Sequence, residues 1–179
     1  MSMTNIGTER LVLRLVPFEG LEATIAHDAA ALHRLLGVAV PPEWFEQDWL
    51  AEMRLEQWRD DENYRPWSIR AIIEKSTNTL IGCMNCHHRP MDFVHGDTTR
   101  QAVELGYDIY EPWQRRGFGF EAVSGFFTWA KARGVPWFVL SVSPQNVASN
   151  ALARKLGATQ IGSQIDEKDG PEDVFLVKW

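Results

Sequence analysis

Apolar and polar positions along this chain follow two periods, which predicts strands and helices in mixed order. Short apolar runs bounded by turn residues are typical of strands, as in "WSIRAIIE" before the polar turn "KSTN". The sequence predicts seven strands, at about residues 9–16, 64–74, 79–88, 101–110, 135–143, 158–165 and 173–179. A polar loop is predicted at residues 89–100, and "DEKDGPED" is predicted as an acidic turn between the last two strands.

Apolar side chains three or four positions apart predict four helices. In one of them, Phe118, Ala122 and Phe126 share a face. The predicted helices cover about residues 18–36, 42–59, 117–134 and 146–157, the last capped by Asn146. Residues 101–143 contain a strand, a helix and a second strand, which predicts a right-handed crossover between parallel strands. Crossovers of this kind bind ligands where the strand turns into the helix.

Composition and charge limit the kinds of protein and of partner. A length of 179 residues with 45% hydrophobic residues fits one domain over residues 1–179. The net charge of -6 repels phosphate backbones, so nucleic acid is not an expected partner, and an anionic ligand needs a local basic cluster. No apolar run approaches the roughly 18 residues of a membrane span, and no signal-peptide core is recognised. We therefore expect a cytoplasmic protein with no membrane partner.

Two cysteines and two histidines lie within residues 83–88, and they match the C-x-x-C-H pattern of haem attachment. On a strand, Cys83 and His87 face one way and Cys86 and His88 face the other, with the cysteine Cα atoms roughly 10 Å apart. Because a strand keeps these four side chains apart, they cannot together bind a porphyrin or a zinc ion. We interpret them as ordinary strand residues, with free cysteines packed as small hydrophobes, and we expect no metal site.

A turn rich in glycine and arginine lies where the predicted crossover strand enters its helix. In "EPWQRRGFGFEA", Gly117 and Gly119 lack Cβ atoms, so main-chain N–H groups can approach a ligand closely. These donors and the positive end of the helix favour an anion, and Arg115 and Arg116 add two positive charges. The turn is therefore a predicted site for phosphate or diphosphate.

The same glycines also match the dinucleotide-binding fingerprint, as Gly117-x-Gly119-x-x-Ala122. That fingerprint requires an acidic residue about twenty positions later, at the end of the next strand, and "VPWFVLSVS" offers none. The chain after residue 143 is also too short for the second half of a doubly wound sheet. A nicotinamide or flavin site is therefore the weaker interpretation of this turn.

Residues 114–119 fit the Q/R-x-x-G-x-G/A signature of acetyl-coenzyme A binding, and the chain resembles the GNAT superfamily of N-acetyltransferases. "VELGYDIYEPWQRRGFGFEAV" followed by "NVASNALARKLGA" looks like the branch of ribosomal-protein N-terminal acetyltransferases (RimJ/RimL), and "TERLVLR" is similar to its opening strand. The resemblance implies a single α/β (α+β) domain with a mixed sheet of about seven strands. It also implies that parallel central strands splay around acetyl-CoA, that helices flank the sheet, and that CoA is a product.

The resemblance also implies cofactor contacts for residues of this sequence. The diphosphate would lie on the loop and helix start formed by Gln114, Arg115, Arg116, Gly117, Phe118, Gly119 and Phe120. The main chain of Ile109 and Tyr110 would pair with the pantetheine arm and the acetyl carbonyl. Asn146 and Ser149 match the N-x-x-S of the family at the thiol end, and a plain helix cap is the other role open to Asn146.

Acetyl transfer to an amine needs a base, because deprotonating an ammonium of pKa about 10.4 at pH 7 costs about 4 to 5 kcal/mol. Glu104 resembles the position of the catalytic glutamate in some family members, and a cross-strand pair is the alternative role for it. The leaving thiolate needs a proton, but Ala153 stands where many members have a tyrosine. Ser149 or a water is the predicted donor instead, and Tyr107 and Tyr110 are weaker candidates.

The acceptor is less well indicated by the sequence. Asp48, Glu52 and Glu56 form an i, i+4, i+8 row that either attracts a cationic amine or is a solvated helix face. We expect an acetyl-CoA-dependent N-acetyltransferase that acts on a primary amine, of a small molecule or of a peptide N-terminus, by direct attack in a ternary complex. The alternative, suggested by Ala153, is a non-catalytic CoA-binding or interaction module. A monomer or a homodimer is expected.

Overall fold

The computed structural model describes residues 5–167 and 170–179, and within them nine strands and five α-helices. The strands are β1 (Asn5–Gly7), β2 (Leu11–Leu15), β3 (Arg70–Glu74), β4 (Thr79–Cys86), β5 (Met91–His95), β6 (Thr98–Ile109), β7 (Trp137–Val142), β8 (Thr159–Asp166) and β9 (Gly170–Lys178). The α-helices are α1 (Phe18–Ile25), α2 (Ala29–Leu36), α3 (Asp48–Asp60), α4 (Phe118–Lys131) and α5 (Val147–Lys155). Short 3₁₀ helices cover Pro42–Gln47, Glu62–Trp67 and Glu111–Trp113. The mixed α/β class predicted from the sequence is confirmed.

The chain folds as two compact units. The first consists of the residues up to Asn85 together with Tyr107–Ala122. Within it, β1, β2, β3 and β4 pair in that order, all antiparallel. The apolar faces of α1, α2 and α3 pack with side chains of β3 and β4 in one core. Removing these faces from water is the main force that holds the unit together.

The second unit consists of Cys86–Gly106 and Val123–Trp179. Its strands pair in the order β5, β6, β7, β9 and β8, and only β6 and β7 run parallel. Because α4 lies between β6 and β7 along the chain, the predicted strand, helix and parallel strand are all present. Phe127 of α4 stacks on Phe138 of β7 with ring centroids 3.7 Å apart, which joins the helix to the sheet.

Two predicted helices differ from those in the structure. Residues 18–36 form two helices, because His27 has a left-handed φ of 53° and interrupts the α-helical hydrogen bonds. The side chain of Asp28 then accepts a hydrogen bond from the Ala31 N–H at 2.8 Å and caps α2. Residues 42–59 begin with a 3₁₀ segment and become α-helical at Asp48.

Two predictions for extended and loop segments are also corrected. The strand predicted at 64–74 begins only at Arg70, since Pro66 lies in a 3₁₀ turn and has no N–H for a strand ladder. The polar loop predicted at 89–100 is a hairpin of β5 and β6 that turns at Gly96 with φ 57°. Most side chains of β5 are exposed, so no apolar pattern marks this strand in the sequence. Strand β1 was also not predicted from the sequence.

The acidic turn predicted between β8 and β9 includes residues 168 and 169, which lie outside the described residues. Over residues 5–167 and 170–179, no helix is both long enough and apolar enough to cross a membrane.

Gly82 is required where β4 approaches the end of β6. A Cβ atom at Gly82 would lie 2.1 Å from the Asp108 carbonyl oxygen and 3.0 Å from the Ile109 Cα, both of them main-chain atoms. Gly82→Ala must therefore push the strands apart, and we expect a loss of about 1 to 3 kcal/mol in the free energy of unfolding. Chemical denaturation measures it. Gly7→Ala is the control, because no atom lies within 4 Å of a Cβ there, and equal stabilities of the two variants would contradict the prediction.

Candidate functional site

The loop between β6 and α4 has an unusual main-chain conformation. The chain leaves β6 at Ile109, passes through a 3₁₀ turn and enters α4 at Phe118. Arg115 and Gly117 both have left-handed backbones, with φ of 58° and 80°. The side chain of Gln114 donates to the Ile109 carbonyl at 2.8 Å and closes the loop on the strand that precedes it. Left-handed residues in such a loop help to turn neighbouring N–H groups towards one concave side, which suits an anion.

The N–H groups at the start of α4 are available to a ligand. The first hydrogen bond that α4 makes is from the Glu121 N–H to the Gly117 carbonyl, at 3.1 Å. Helix geometry therefore leaves the N–H groups of Gly117, Phe118 and Gly119 without acceptors, and among the described residues none takes them. The Phe118 side chain is buried, so the loop is not filled by its own aromatic ring. The side chains of Arg115 and Arg116 are exposed beside these donors.

A carboxylate in the first turn of α4 is held by residues that lie just before β2. Glu121 accepts hydrogen bonds from the Thr8 hydroxyl, the Arg10 N–H and the Arg10 Nε, at 2.6, 2.7 and 2.6 Å. Burial would raise the pKa of Glu121, but these hydrogen bonds and the Arg10 charge outweigh it and hold that pKa below its usual value. We call Thr8, Arg10 and Glu121 the clamp.

The clamp also reaches the loop itself. Arg10 donates from Nη1 to the Arg116 carbonyl at 3.1 Å, and its guanidinium lies 4.4 Å from the centroid of the Phe118 ring. The Arg116 guanidinium lies 4.9 Å from the same centroid and 3.5 Å from Glu74. Sequence reasoning did not identify Arg10 or Glu121, because 111 positions separate them. A sign of their importance was nevertheless present in the sequence, because Arg10 lies in "TERLVLR" and Glu121 in "EPWQRRGFGFEA", two segments that carry the family resemblance.

The end of β6 already has protein partners. The Tyr110 N–H donates to the Ile81 carbonyl at 2.9 Å, and the Tyr110 carbonyl accepts from the Trp113 N–H at 2.9 Å. The Ile109 carbonyl accepts from Gln114, as described above. The Tyr110 N–H is therefore engaged, but each of the two carbonyls keeps a second lone pair, so the cofactor pairing of Ile109 and Tyr110 stays a prediction.

Tyr110 is a poor proton donor at neutral pH. Burial raises the pKa of its phenol, and the nearby Cys83 and the carboxylates of Asp108, Glu43 and Glu46 raise it further. The phenol therefore stays protonated and gives up its proton reluctantly, which weakens Tyr110 as the acid of the reaction.

Glu104 lies in the second unit on β6, beside β7. Its Oε1 accepts a hydrogen bond from the Ser141 hydroxyl at 2.5 Å and lies 3.5 Å from Nδ1 of His87. Gln164 in turn donates to the Ser141 hydroxyl at 3.2 Å. Burial alone would raise the pKa of Glu104, but the hydrogen bonds and charge of His87, aided by Ser141 and by the charge of His88, hold that pKa below its usual value. Glu104 is therefore ionised at neutral pH, the state that a base requires.

The parallel ladder between β6 and β7 is short. It joins Ala102 to Trp137, Val103 to Phe138 and Glu104 to Val139, and it ends there. On its other side, β7 stays paired with β9 as far as Val142. Within the second unit, the two parallel strands therefore lose their ladder at the level of Glu104.

The N-x-x-S segment forms the start of α5 in the second unit. Asn146 caps this helix, since its side-chain oxygen accepts from the Ser149 N–H at 3.0 Å. The neighbouring Asn150 donates to the carbonyls of Ser143 and Asn146, at 3.0 and 2.9 Å, which fixes the turn before the helix. The cap role of Asn146 is thus observed, and its exposed side chain remains accessible. Ala153 is fully buried in the same helix.

The cysteines are not positioned for catalysis. Both are buried and neither is in a disulfide, and β4 ends at Cys86, before the histidines. Burial, with the charge of Asp108 as a lesser cause, raises the pKa of Cys83 to about 12, so its reactive thiolate is absent at neutral pH. In the part of the chain that the structure describes, no group of three or more His, Cys, Asp and Glu residues could hold a metal ion.

The acidic row of α3 is exposed to solvent. Asp48 pairs with His27 at 2.8 Å, and hydrogen bonding to His27 lowers the Asp48 pKa. Glu52 and Glu56 are exposed on the following turns. Trp49 and Met53 beside them are 38% and 43% exposed. The row therefore has the geometry of a solvated helix face, and a role in attracting an amine stays a prediction.

This chain is similar to known proteins over most of its length. It matches the family described as "Acetyltransferase (GNAT) domain" over residues 10–159. No curated protein sequence matches it. It is similar in structure to the ribosomal-protein-S5-alanine acetyltransferase of Vibrio fischeri, at 16% identity and a TM-score of 0.66, with 98% of this chain and 96% of that chain covered.

Two further solved structures are similar to this chain. One is an acetyltransferase of Agrobacterium tumefaciens, at 24% identity and a TM-score of 0.63, with 100% of this chain and 96% of that chain covered. The other is the microcin C7 self immunity acetyltransferase MccE in complex with acetyl-CoA and AMP, at 14% identity and a TM-score of 0.60, with 96% and 93% covered. At these identities the similarity shows a shared fold.

Proposed function

The chain belongs to the GNAT acetyltransferase family, and on this basis we propose that it is an acetyl-CoA-dependent N-acetyltransferase with a primary amine as acceptor. The observation that carries the proposal is the loop between Gln114 and Phe120, where main-chain donors and exposed guanidiniums adjoin the start of α4. The reaction class is acyl transfer by direct attack of the amine in a ternary complex.

The residues of the loop fit the diphosphate of CoA. Its donors at Gly117, Phe118 and Gly119 have no acceptors among the described residues, and Gly117 takes a φ of 80° that other residues rarely adopt. Arg115 and Arg116 bring positive charge to a chain of net charge -6. When bound, acetyl-CoA supplies a thioester activated towards attack by an amine. The loss of the β6–β7 ladder beyond Glu104 supports a pantetheine arm between these strands.

Two side chains of the second unit are proposed to move protons. Glu104, ionised at neutral pH, would accept the proton of the attacking ammonium, directly or through a water. Its lowered pKa makes it a weak base, so the geometry of the transfer must supply much of the effect. The Ser149 hydroxyl, or a water, would pass a proton to the leaving thiolate and take one back from the nitrogen of the tetrahedral intermediate, because the buried Ala153 has none to offer.

The acceptor is proposed at the level of chemical class. A protein acceptor is supported by the structural similarity to a ribosomal-protein-S5-alanine acetyltransferase, and a small-molecule acceptor by the similarity to MccE, which was solved with acetyl-CoA and AMP. The net charge of -6 favours cationic acceptors over nucleic acid. A non-catalytic CoA-binding module is the second candidate, and the missing phenol at Ala153 is the observation that favours it.

Calorimetry with acetyl-CoA and an assay of CoA release test the two candidates separately. We expect acetyl-CoA to bind with 1:1 stoichiometry, and CoA to be released above background with some members of an amine panel that includes free-N-terminal peptides. Binding without release in any member favours the non-catalytic module. Failure to bind at millimolar acetyl-CoA contradicts both candidates.

A further inference from the structure

The clamp joins two parts of the first unit that are distant along the chain. Glu121 takes three hydrogen bonds from Thr8 and Arg10, and Arg10 uses a further nitrogen for the Arg116 carbonyl. The Arg10 side chain, 44% exposed, is thus fixed at its Nε by a carboxylate and at its Nη1 by the loop. Exposed arginine side chains are seldom held by so many bonds, because each bond costs rotamer entropy.

The bond to the Arg116 carbonyl sets the direction of a neighbouring donor. A peptide unit is planar and trans, so the carbonyl of Arg116 and the N–H of Gly117 point in opposite directions. When Arg10 holds that carbonyl, the Gly117 N–H must point away from Arg10. Arg116, which bears this carbonyl, lies between the left-handed Arg115 and Gly117, and a left-handed backbone at Arg115 persists only when its surroundings determine it.

We propose that Arg10 is a positioning residue for the cofactor loop, which it holds, with Glu121 as its anchor, in the conformation that presents its main-chain donors to the diphosphate. The inference rests on the proposed function and adds to it a determinant of cofactor affinity outside the signature sequence. Without Arg10, the loop is free to leave the left-handed conformation. If it then adopts the binding conformation about a tenth of the time, the apparent affinity falls about tenfold.

The test compares Arg10→Ala and Arg10→Lys with the unchanged protein, using calorimetry with CoA and steady-state kinetics with acetyl-CoA. We expect Arg10→Ala to raise the Kd for CoA and the KM for acetyl-CoA about tenfold, with kcat at saturation within about twofold. Lysine keeps the charge but lacks the fork that bonds both Glu121 and Arg116, so Arg10→Lys should restore only part of the affinity.

Glu121→Gln tests whether Arg10 acts through its anchor. A double-mutant cycle should show coupling, with Arg10→Ala weakening CoA binding much less in the Glu121→Gln background than alone. Arg59→Ala is the matched control, because Arg59 also combines a carboxylate partner, Glu22 at 3.7 Å, with a ring contact, Phe18 at 5.5 Å. Arg59 lies outside the loop, so the Kd of Arg59→Ala for CoA should be unchanged even if the melting temperature of that variant falls.

Each outcome bears on the proposal. An unchanged Kd in Arg10→Ala, with the unchanged protein binding CoA, overturns the role of Arg10 and leaves the proposed function standing. Additive losses in the cycle overturn the anchor role of Glu121. If Arg10→Ala does not fold, Arg10→Lys decides, and full affinity in that variant overturns the proposal. No binding of CoA by the unchanged protein overturns the proposed function and this inference with it.

Discussion

Gly119→Glu is expected to weaken CoA binding by roughly 100-fold or more while leaving the fold intact. Gly119 is the second residue of α4 and belongs to the segment proposed to hold the diphosphate. A carboxylate about 5 Å from a phosphate charge costs roughly 3 kcal/mol at an effective dielectric constant of about 20. The same carboxylate in the first helical turn is favourable to the helix itself, and replacing glycine within a helix is favourable as well. Affinity and stability should therefore change in opposite directions.

Calorimetry with CoA and thermal denaturation measure these two quantities on the same protein. Gly119→Gln is the control, because glutamine has the size of glutamate without its charge, and it should lose much less affinity. Equal losses in the two variants would point to steric exclusion instead of charge. Unimpaired binding by Gly119→Glu would mean that no diphosphate lies on this loop, and the proposed function would lose its main support.

Glu104→Gln is expected to lower kcat by about 100-fold to 10,000-fold with the Kd for acetyl-CoA unchanged, because a positioned base contributes about that much to proton transfer. Since His87 and Ser141 keep the Glu104 pKa below its usual value, the carboxylate of the unchanged protein stays ionised well into the acid range. Activity that depends on this carboxylate should therefore fall only when the pH approaches the lowered pKa. The pH profile of kcat measures it.

The same lowered pKa has a consequence for stability. A carboxyl group whose pKa is lower in the folded state stabilises the fold above its unfolded pKa, and that contribution disappears as the pH falls through the folded pKa. Glu104→Gln should thus be less stable than the unchanged protein at neutral pH, with the difference shrinking in acid. Glu172→Gln is the control, since Glu172 also lies on a strand of the second unit and accepts from Gln164, at 3.0 Å. If kcat is unchanged across the pH range in Glu104→Gln, Glu104 is not the base, and its role is only the structural contact with Ser141.

Local patterns predicted the turn between β6 and α4 better than they predicted some other elements of the fold. The turn of Arg115 to Gly119 was recognised because glycine spacing and a helix start act within a few residues. The break at His27 and the strand β5 were missed for a different reason. The first depends on a cap at Asp28 that an apolar pattern does not register, and the second exists because it pairs with β6, without a buried face of its own.

By itself, the sequence determined the mixed order of helices and strands, the loop with its glycines and arginines, and the family to which the chain belongs. These depend on interactions between near neighbours and on a signature that is contiguous in sequence. Only the tertiary structure decided that Arg10 meets Glu121 and that Glu104 meets Ser141 and His87. Such pairs lie far apart along the chain, and they meet only after strand register and helix packing have set which side chains share a face.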